Sequence, residues 1–297
     1  MQRELSQRFV DVAPDVRLWV ESRGPADAPP LLLVMGAQAS GLGWPEELVE
    51  LLAAHHRVIR YDHRDTGRST WSFDRKPYAL PELAEDAVAV LDALGVERAH
   101  VVGMSLGGML AQLLLADHPD RLLSATLIGA GALSTRPYAG PDGELTPVGE
   151  LPGVDPRLVA LWSEPAEERD LEAELDRRVE HWRLLSGGLI PFDAEAAREL
   201  ERRIVRHTGH HATSTAHARA STAGMERTGE LAVNRVPTLV VAAPAEPVYP
   251  PPHAAHLAQV IGAARLVTIP GMGHALPREV HGPLAAAILE HTTAAVR

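Results

Sequence analysis

The 297-residue chain alternates short, unbroken apolar runs with longer stretches in which apolar positions recur every three or four residues. Leu31-Leu32-Leu33-Val34-Met35-Gly36, Arg57-Val58-Ile59-Arg60-Tyr61-Asp62, Leu123 to Ile128, Pro237-Thr238-Leu239-Val240-Val241-Ala242-Ala243 and Arg265-Leu266-Val267-Thr268-Ile269-Pro270 have strand length and the pattern of strands buried on both faces. Val16 to Val20 predicts a short first strand, broken off by Gly24-Pro25 and Pro29-Pro30. Leu83, Ala87, Val90, Leu91 and Leu94 fall on one helical face, stopped by Gly95, and a terminal helix is expected from about Pro283. From about Pro137 to Arg235 strand-like runs nearly vanish, while Leu171, Leu175, Val179 and Trp182 mark a helical stripe.

This alternation predicts an α/β fold: a mostly parallel sheet covered by helices on both faces, with residues 1–135 and 233–297 as the core. Residues 136–232 are expected to be a helical cap inserted over the carboxyl ends of the strands, where ligands of such sheets bind.

One apolar run leads directly into chemistry. Val101-Val102-Gly103-Met104-Ser105-Leu106-Gly107-Gly108 carries Gly-x-Ser-x-Gly, and Met109, Leu110, Leu113 and Leu114 follow at helical spacing. A serine on a strand-to-helix turn with small residues two before and two after it is the setting of a nucleophile elbow. A serine hydroxyl needs a base, and that base needs an acceptor on its other nitrogen; in this arrangement the chain order is serine, acid, histidine. Pro270-Gly271-Met272-Gly273-His274 supplies a histidine after the last strand, and His281 competes less well because it stands where the terminal helix should start. The loop Ala242-Ala243-Pro244-Ala245-Glu246-Pro247-Val248 supplies Glu246 as the acid; its extra methylene relative to aspartate requires the loop to retreat slightly. The amide of Leu106 is one expected oxyanion donor, and that of Ala37, with Gly36 as the alternative, is the second.

Composition narrows the partners. A net charge of −11 without a basic stripe argues against nucleic acid, and no apolar stretch is long enough to cross a membrane. There is no cysteine, Lys76 is the only lysine, and the N-terminal Met1-Gln2-Arg3-Glu4-Leu5-Ser6-Gln7 carries no apolar signal core, so a cytoplasmic protein is expected; the serine, acid and histidine read above imply cofactor-free and metal-free chemistry on a small-molecule ester. Gly36 to Gly43 lacks the Gly-Lys-Ser/Thr ending of a phosphate loop, and Ser134 stands where a dinucleotide fingerprint after Gly129-Ala130-Gly131 needs glycine. His207, His210, His211 and His217 are read as a solvated face, and His55-His56 as a helix end. Trp162, Trp182, Phe192 and Tyr138 concentrate the scarce aromatics in the cap, where they either pack its core or face a flat apolar ligand.

With these residues in view, the chain resembles the α/β-hydrolase superfamily, and within it the aclacinomycin methylesterase-like group. The likeness is carried by residues 31–36, by Gly43-Trp44-Pro45, by Val58 through Thr70, by Ala99 through Ser105, by Trp182-Arg183-Leu184-Leu185-Ser186-Gly187 and by Ile269 through Pro277. The resemblance implies cleavage of the carbomethoxy ester of an anthracycline or related aromatic polyketide, with Ser105 as nucleophile, His274 as base, an oxyanion hole near Ala37 and Leu106, and an acid at position 246. The chain departs from the group's His-Asp-Pro there, with Ala245-Glu246-Pro247. Lactonase, small-ester esterase and perhydrolase activities are the alternatives within enzymes, and a non-hydrolytic binding or cyclisation protein is the alternative outside them.

Overall fold

A computed structural model describes residues 5–164 and 169–295; residues 1–4 of the N-terminal stretch read above lie outside it. In chain order the elements are β1 (Leu5–Ala13), β2 (Val16–Arg23), β3 (Pro30–Val34), α1 (Glu46–Ala53), β4 (Arg57–Tyr61), α2 (Pro81–Ala93), β5 (Ala99–Met104), α3 (Leu106–Asp117) and β6 (Leu122–Ile128). There follow the ribbon strands β7 (Tyr138–Ala139) and β8 (Leu145–Thr146), then α4 (Pro156–Trp162), α5 (Leu171–Leu185), α6 (Ala194–Thr208), α7 (Ala216–Arg219) and α8 (Thr228–Ala232). The chain closes with β9 (Thr238–Ala242), α9 (His253–Val260), β10 (Ala264–Thr268) and α10 (Arg278–Ala295).

Eight strands form one sheet in the order β1-β2-β4-β3-β5-β6-β9-β10. The β1–β2 and β2–β4 pairs are antiparallel and every other pair is parallel. The apolar runs divide by the two-residue period of a strand. Leu32, Val34, Ile59, Val101, Leu127 and Val240 pack on one face with α2, α3 and α9. Leu31, Leu33, Val58, Val102, Met104 and Val241 pack on the other with α1 and α10. The central strands therefore read as continuous apolar runs because both faces are covered.

Register places the site. Val34 lies opposite Gly103, Met104 opposite Ile128, and Ile128 opposite Val241, so β3, β5, β6 and β9 end level with one another. The loops leaving those ends converge on one edge.

Two boundaries differ from expectation. Strand β1 escapes the sequence pattern because only Val10 of its nine residues is buried, leaving no apolar alternation to read. Helix α10 starts at Arg278, and Pro283 lies within it instead of opening it. His281 is consequently a helix residue, tied through Nε2 to the carbonyl of Leu276.

Between β6 and β9 the described residues form helices joined by loops, apart from the small ribbon. Side chains cap its helices: Asp170 accepts from the Ala173 amide, and Asp193 from those of Glu195 and Ala196. Leu158, Leu161, Leu184 and Leu185 form a separate cluster with Ala275. Ala216, Ala220, Met225 and Leu231 instead join the cluster beneath the sheet, so the last part of this stretch packs with the core. Among the described residues no helix is long and apolar enough to cross a membrane.

At the opposite edge, three histidines are buried. His56 bonds the Pro29 carbonyl and Thr292, His100 bonds Ser124, and His291 bonds the Ala125 carbonyl. Burial lowers all three pKa values; that of His100 falls to about 3, the charges of His56, His291 and Arg98 adding to the effect. An unfolded histidine titrates near its ordinary value of about 6.5, so below that pH the unfolded chain takes up protons that the fold refuses. Stability should therefore fall as pH drops from 6.5 towards 4. In urea titrations His100→Leu should flatten that slope by up to about 1.4 kcal/mol per pH unit, one proton's linkage; parallel slopes for wild type and variant would contradict this.

Candidate functional site

Ser105 joins β5 to α3 with φ 55° and ψ −119°. A side-chain-bearing residue in that region stores about 1–3 kcal/mol of strain and persists only where its surroundings impose it. They do so here by close approach. A Cβ on Gly103 would stand 2.2 Å from the Gly107 carbonyl oxygen, and one on Gly107 would stand 2.0 Å from that of Val34. The Ser105 amide donates to the Ile128 carbonyl at 2.8 Å, and the Ser105 carbonyl accepts from Gly108 and Met109. Strand ends and helix start thus pin the turn on both sides.

His274 follows β10 and turns Nδ1 to Glu246, 2.7 Å from Oε1 and 2.9 Å from Oε2. Both residues are buried. Glu246 Oε1 also accepts the amides of Val248 at 2.8 Å and Tyr249 at 3.3 Å. Burial alone would push the carboxyl pKa up; the charge and hydrogen bond of His274, with the two amides, outweigh it and hold the pKa below the ordinary value. The longer side chain finds its room at Gly129, where φ is +55° and a Cβ would lie 2.9 Å from His274 Nδ1 and 3.0 Å from Glu246 Oε2. The glutamate carboxylate thus lies in space left by a missing side chain on the neighbouring strand end.

The His274 loop is fastened to the end of α5. The amides of His274 and Ala275 donate to the Leu185 carbonyl at 2.8 and 3.2 Å, and that of Ala245 donates to Met272 at 2.9 Å. Acid loop, histidine loop and α5 are therefore one unit.

On the other side of Ser105, Gly36 approaches so closely that a Cβ would stand 3.2 Å from Ser105 Cβ and 3.7 Å from Oγ. Ala37 follows it and is exposed. Leu106 opens α3, where an amide has no carbonyl one turn earlier to bond. Gly36 therefore touches the serine, Ala37 is its chain neighbour, and Leu106 follows the serine directly.

The four aromatics separate. Trp182 packs with the Leu158–Leu185 cluster that includes Ala275, and its Nε1 donates to Glu201 at 2.7 Å, so it serves packing between helices. Trp162 is exposed and donates to His181 Nε2 at 3.0 Å. Phe192 is half-buried ahead of α6, and Tyr138 meets His256 of α9 edge-on, ring centroids 6.4 Å apart.

The histidine reading needs correction. His217 is buried, and both its ring nitrogens are bonded, to the Gln38 amide and to the Arg64 carbonyl. His207 bonds Asp62 at 2.7 Å and His211 bonds the Arg169 carbonyl. The polar stretch predicts a solvated face, yet it places His217 on the loop after β3 and His207 on Asp62 at the end of β4. The sequence carries no signal for this, because His217 and Gln38 stand 179 positions apart. His181 was also missed; burial, then the charges of Arg177 and His274, lower its pKa to about 4.

A family model described as alpha/beta hydrolase fold matches residues 29–277. The chain is 47% identical over 290 residues to rhodomycin D methylesterase DnrP of Streptomyces peucetius, covering 95% of this chain and 96% of that one. It is 48% identical, with the same coverage, to rhodomycin D methylesterase DauP of Streptomyces sp. (strain C5). Among solved structures it is similar to esterase RhEst1 from Rhodococcus sp. ECU1013, with TM-score 0.75, 22% identity and coverage of 97% and 98%. A hydrolase from Pseudomonas aeruginosa PA01 gives TM-score 0.68, 26% identity and 98% coverage of both chains. On its sheet, its elbow and the extent of these matches, the chain belongs to the α/β-hydrolase fold family.

Proposed function

We propose that this protein is a serine carboxylesterase that removes the methyl group from a carbomethoxy ester on an anthracycline or related aromatic polyketide. The observation that carries the reading is the Glu246–His274 pair, bonded at 2.7 Å on the strand edge where Ser105 sits on its strained turn. Near half identity over almost the full length to two rhodomycin D methylesterases supports the substrate class.

The chemistry follows from the residues. Glu246 accepts the proton-bearing Nδ1 of His274, which leaves Nε2 free to take the Ser105 proton. Ser105 Oγ adds to the ester carbonyl, and the oxyanion is held by the amides of Leu106 and of Ala37 or Gly36. The tetrahedral adduct expels methoxide, which leaves as methanol with the proton from His274. Water, deprotonated by the same nitrogen, then attacks the acyl-enzyme and releases the carboxylic acid and the serine. Every bond broken and formed is handled by these side chains and amides, so the mechanism needs no metal or cofactor. Within residues 136–232, the helices α4 to α6 serve as the cap over this edge, with α5 fastened to the His274 loop.

Turnover followed by mass spectrometry, with a carbomethoxy-bearing anthracycline, p-nitrophenyl acetate and a lactone side by side, tests the reading. Wild type should convert the anthracycline methyl ester to the acid, and Ser105→Ala should lower kcat by about 10⁴-fold or more. Turnover of the small ester alone would remove the polyketide assignment, and undiminished turnover by Ser105→Ala would remove the mechanism.

Glu246→Gln keeps shape but loses the charge that supports the imidazolium, so kcat should fall by about 10³–10⁴-fold. Glu246→Asp shortens the reach into the space left at Gly129, and a misplacement of about 1 Å should cost on the order of 10²-fold. An Asp variant as active as wild type would show that the longer arm does not set the geometry.

A further inference from the structure

An oxyanion hole works only if its amides are held in place before the charge develops. Gly36 and Ala37 have almost no side chain with which to pack, so the position of their peptides is imposed by neighbouring groups. Two buried histidines grip the stretch that contains Gly36 and Ala37. On one flank His63 Nε2 donates to the Met35 carbonyl at 2.9 Å. On the other, the Gln38 amide donates to His217 Nδ1 at 2.9 Å. The two rings meet edge-on with centroids 5.6 Å apart. Further along, Asp62 Oδ1 accepts Ser40 Oγ at 2.5 Å and the Gly41 amide at 2.8 Å, while His207 of α6 bonds Oδ2.

The hydrogen bonds define the tautomer of His217. A backbone N–H can only donate, so Nδ1 is the unprotonated acceptor and Nε2 carries the proton, donated to the Arg64 carbonyl at 3.0 Å. Burial, then the charge of His63, lowers the pKa of His217 to about 3, which keeps that acceptor available. Gln38 has φ 60°, a left-handed conformation unfavourable for glutamine unless something holds it. Since the peptide unit is planar, anchoring the Gln38 N–H fixes the whole Ala37–Gln38 peptide and with it one side of Ala37.

We propose that His217 is a positioning residue of the ester-hydrolysing site: from the segment between β6 and β9 it holds the Gln38 amide, and so sets the oxyanion donor at Ala37. His63 holds the preceding turn in the same way. The inference rests on the serine-esterase reading and adds to it that α7, in the stretch between β6 and β9, supplies part of the oxyanion hole's support.

The test compares His217→Leu, which removes the acceptor, with His217→Asn, whose oxygen replaces it near Nδ1, and His217→Gln, whose amide reaches only the Nε2 position. Each is measured for kcat and KM on an ester that wild type hydrolyses and for inhibition by a trifluoromethyl ketone, whose adduct with Ser105 places an oxyanion in the hole. His217→Leu should lose about 30–100-fold in kcat, with KM within about threefold and trifluoromethyl ketone affinity weakened in step with kcat. His217→Asn should recover to within about fivefold of wild type, and His217→Gln should stay near the Leu variant. Should the Leu variant fail to fold, the Asn and Gln pair carries the comparison. Equal activity of Asn and Gln, or unchanged trifluoromethyl ketone affinity, would overturn the inference; wild type inert towards every ester and towards a fluorophosphonate would instead overturn the reading beneath it.

Discussion

The site depends on a single close approach: α3 starts so near β3 and β5 that nothing larger than glycine fits at 103 and 107, and Ser105 between them is forced into a left-handed turn. The surrounding sheet supplies the force. β3 and β5 are buried on both faces and end level with β6 and β9, so the strand ends cannot slip relative to one another without exposing the apolar residues of two clusters. The strain of one residue is offset by the packing of the whole sheet.

From that point the remaining groups are placed by loops that brace one another. The acid and histidine loops bond to each other and to the end of α5, and the loop after β3 is braced by Asp62, His63, His207 and His217. Loops of small residues are thereby kept rigid by longer side chains reaching in from neighbouring elements. Glu246 shows the same dependence: its reach to His274 relies on the absence of a side chain at Gly129 as well as on the amides of its own loop.

How much of this the sequence revealed follows from how local each signal is. Central strands, the strained turn at Ser105, the pairing of Glu246 with His274 and the helices after β6 were legible because each is written in neighbouring residues or in chain order. Strand β1 was not, since an edge strand with one buried residue has no apolar period. The start of α10 was misread because Pro283, a common first helical residue, lies inside it. His207 and His217 read as solvated because their neighbours are polar; their partners lie far away in sequence, and only the folded chain brings them together. The four aromatics between β6 and β9 shared one composition signal but take up separate surroundings, so composition could not assign them a common task.

The most direct measurement of the central claim, that Ser105, His274 and Glu246 act as one nucleophilic unit, is intact-protein mass spectrometry with a fluorophosphonate, followed by peptide mapping. The account predicts one adduct per chain, on Ser105, formed far more slowly in His274→Ala and delayed in wild type by a carbomethoxy-bearing anthracycline. An adduct on another residue, or none while the protein remains folded, would contradict it.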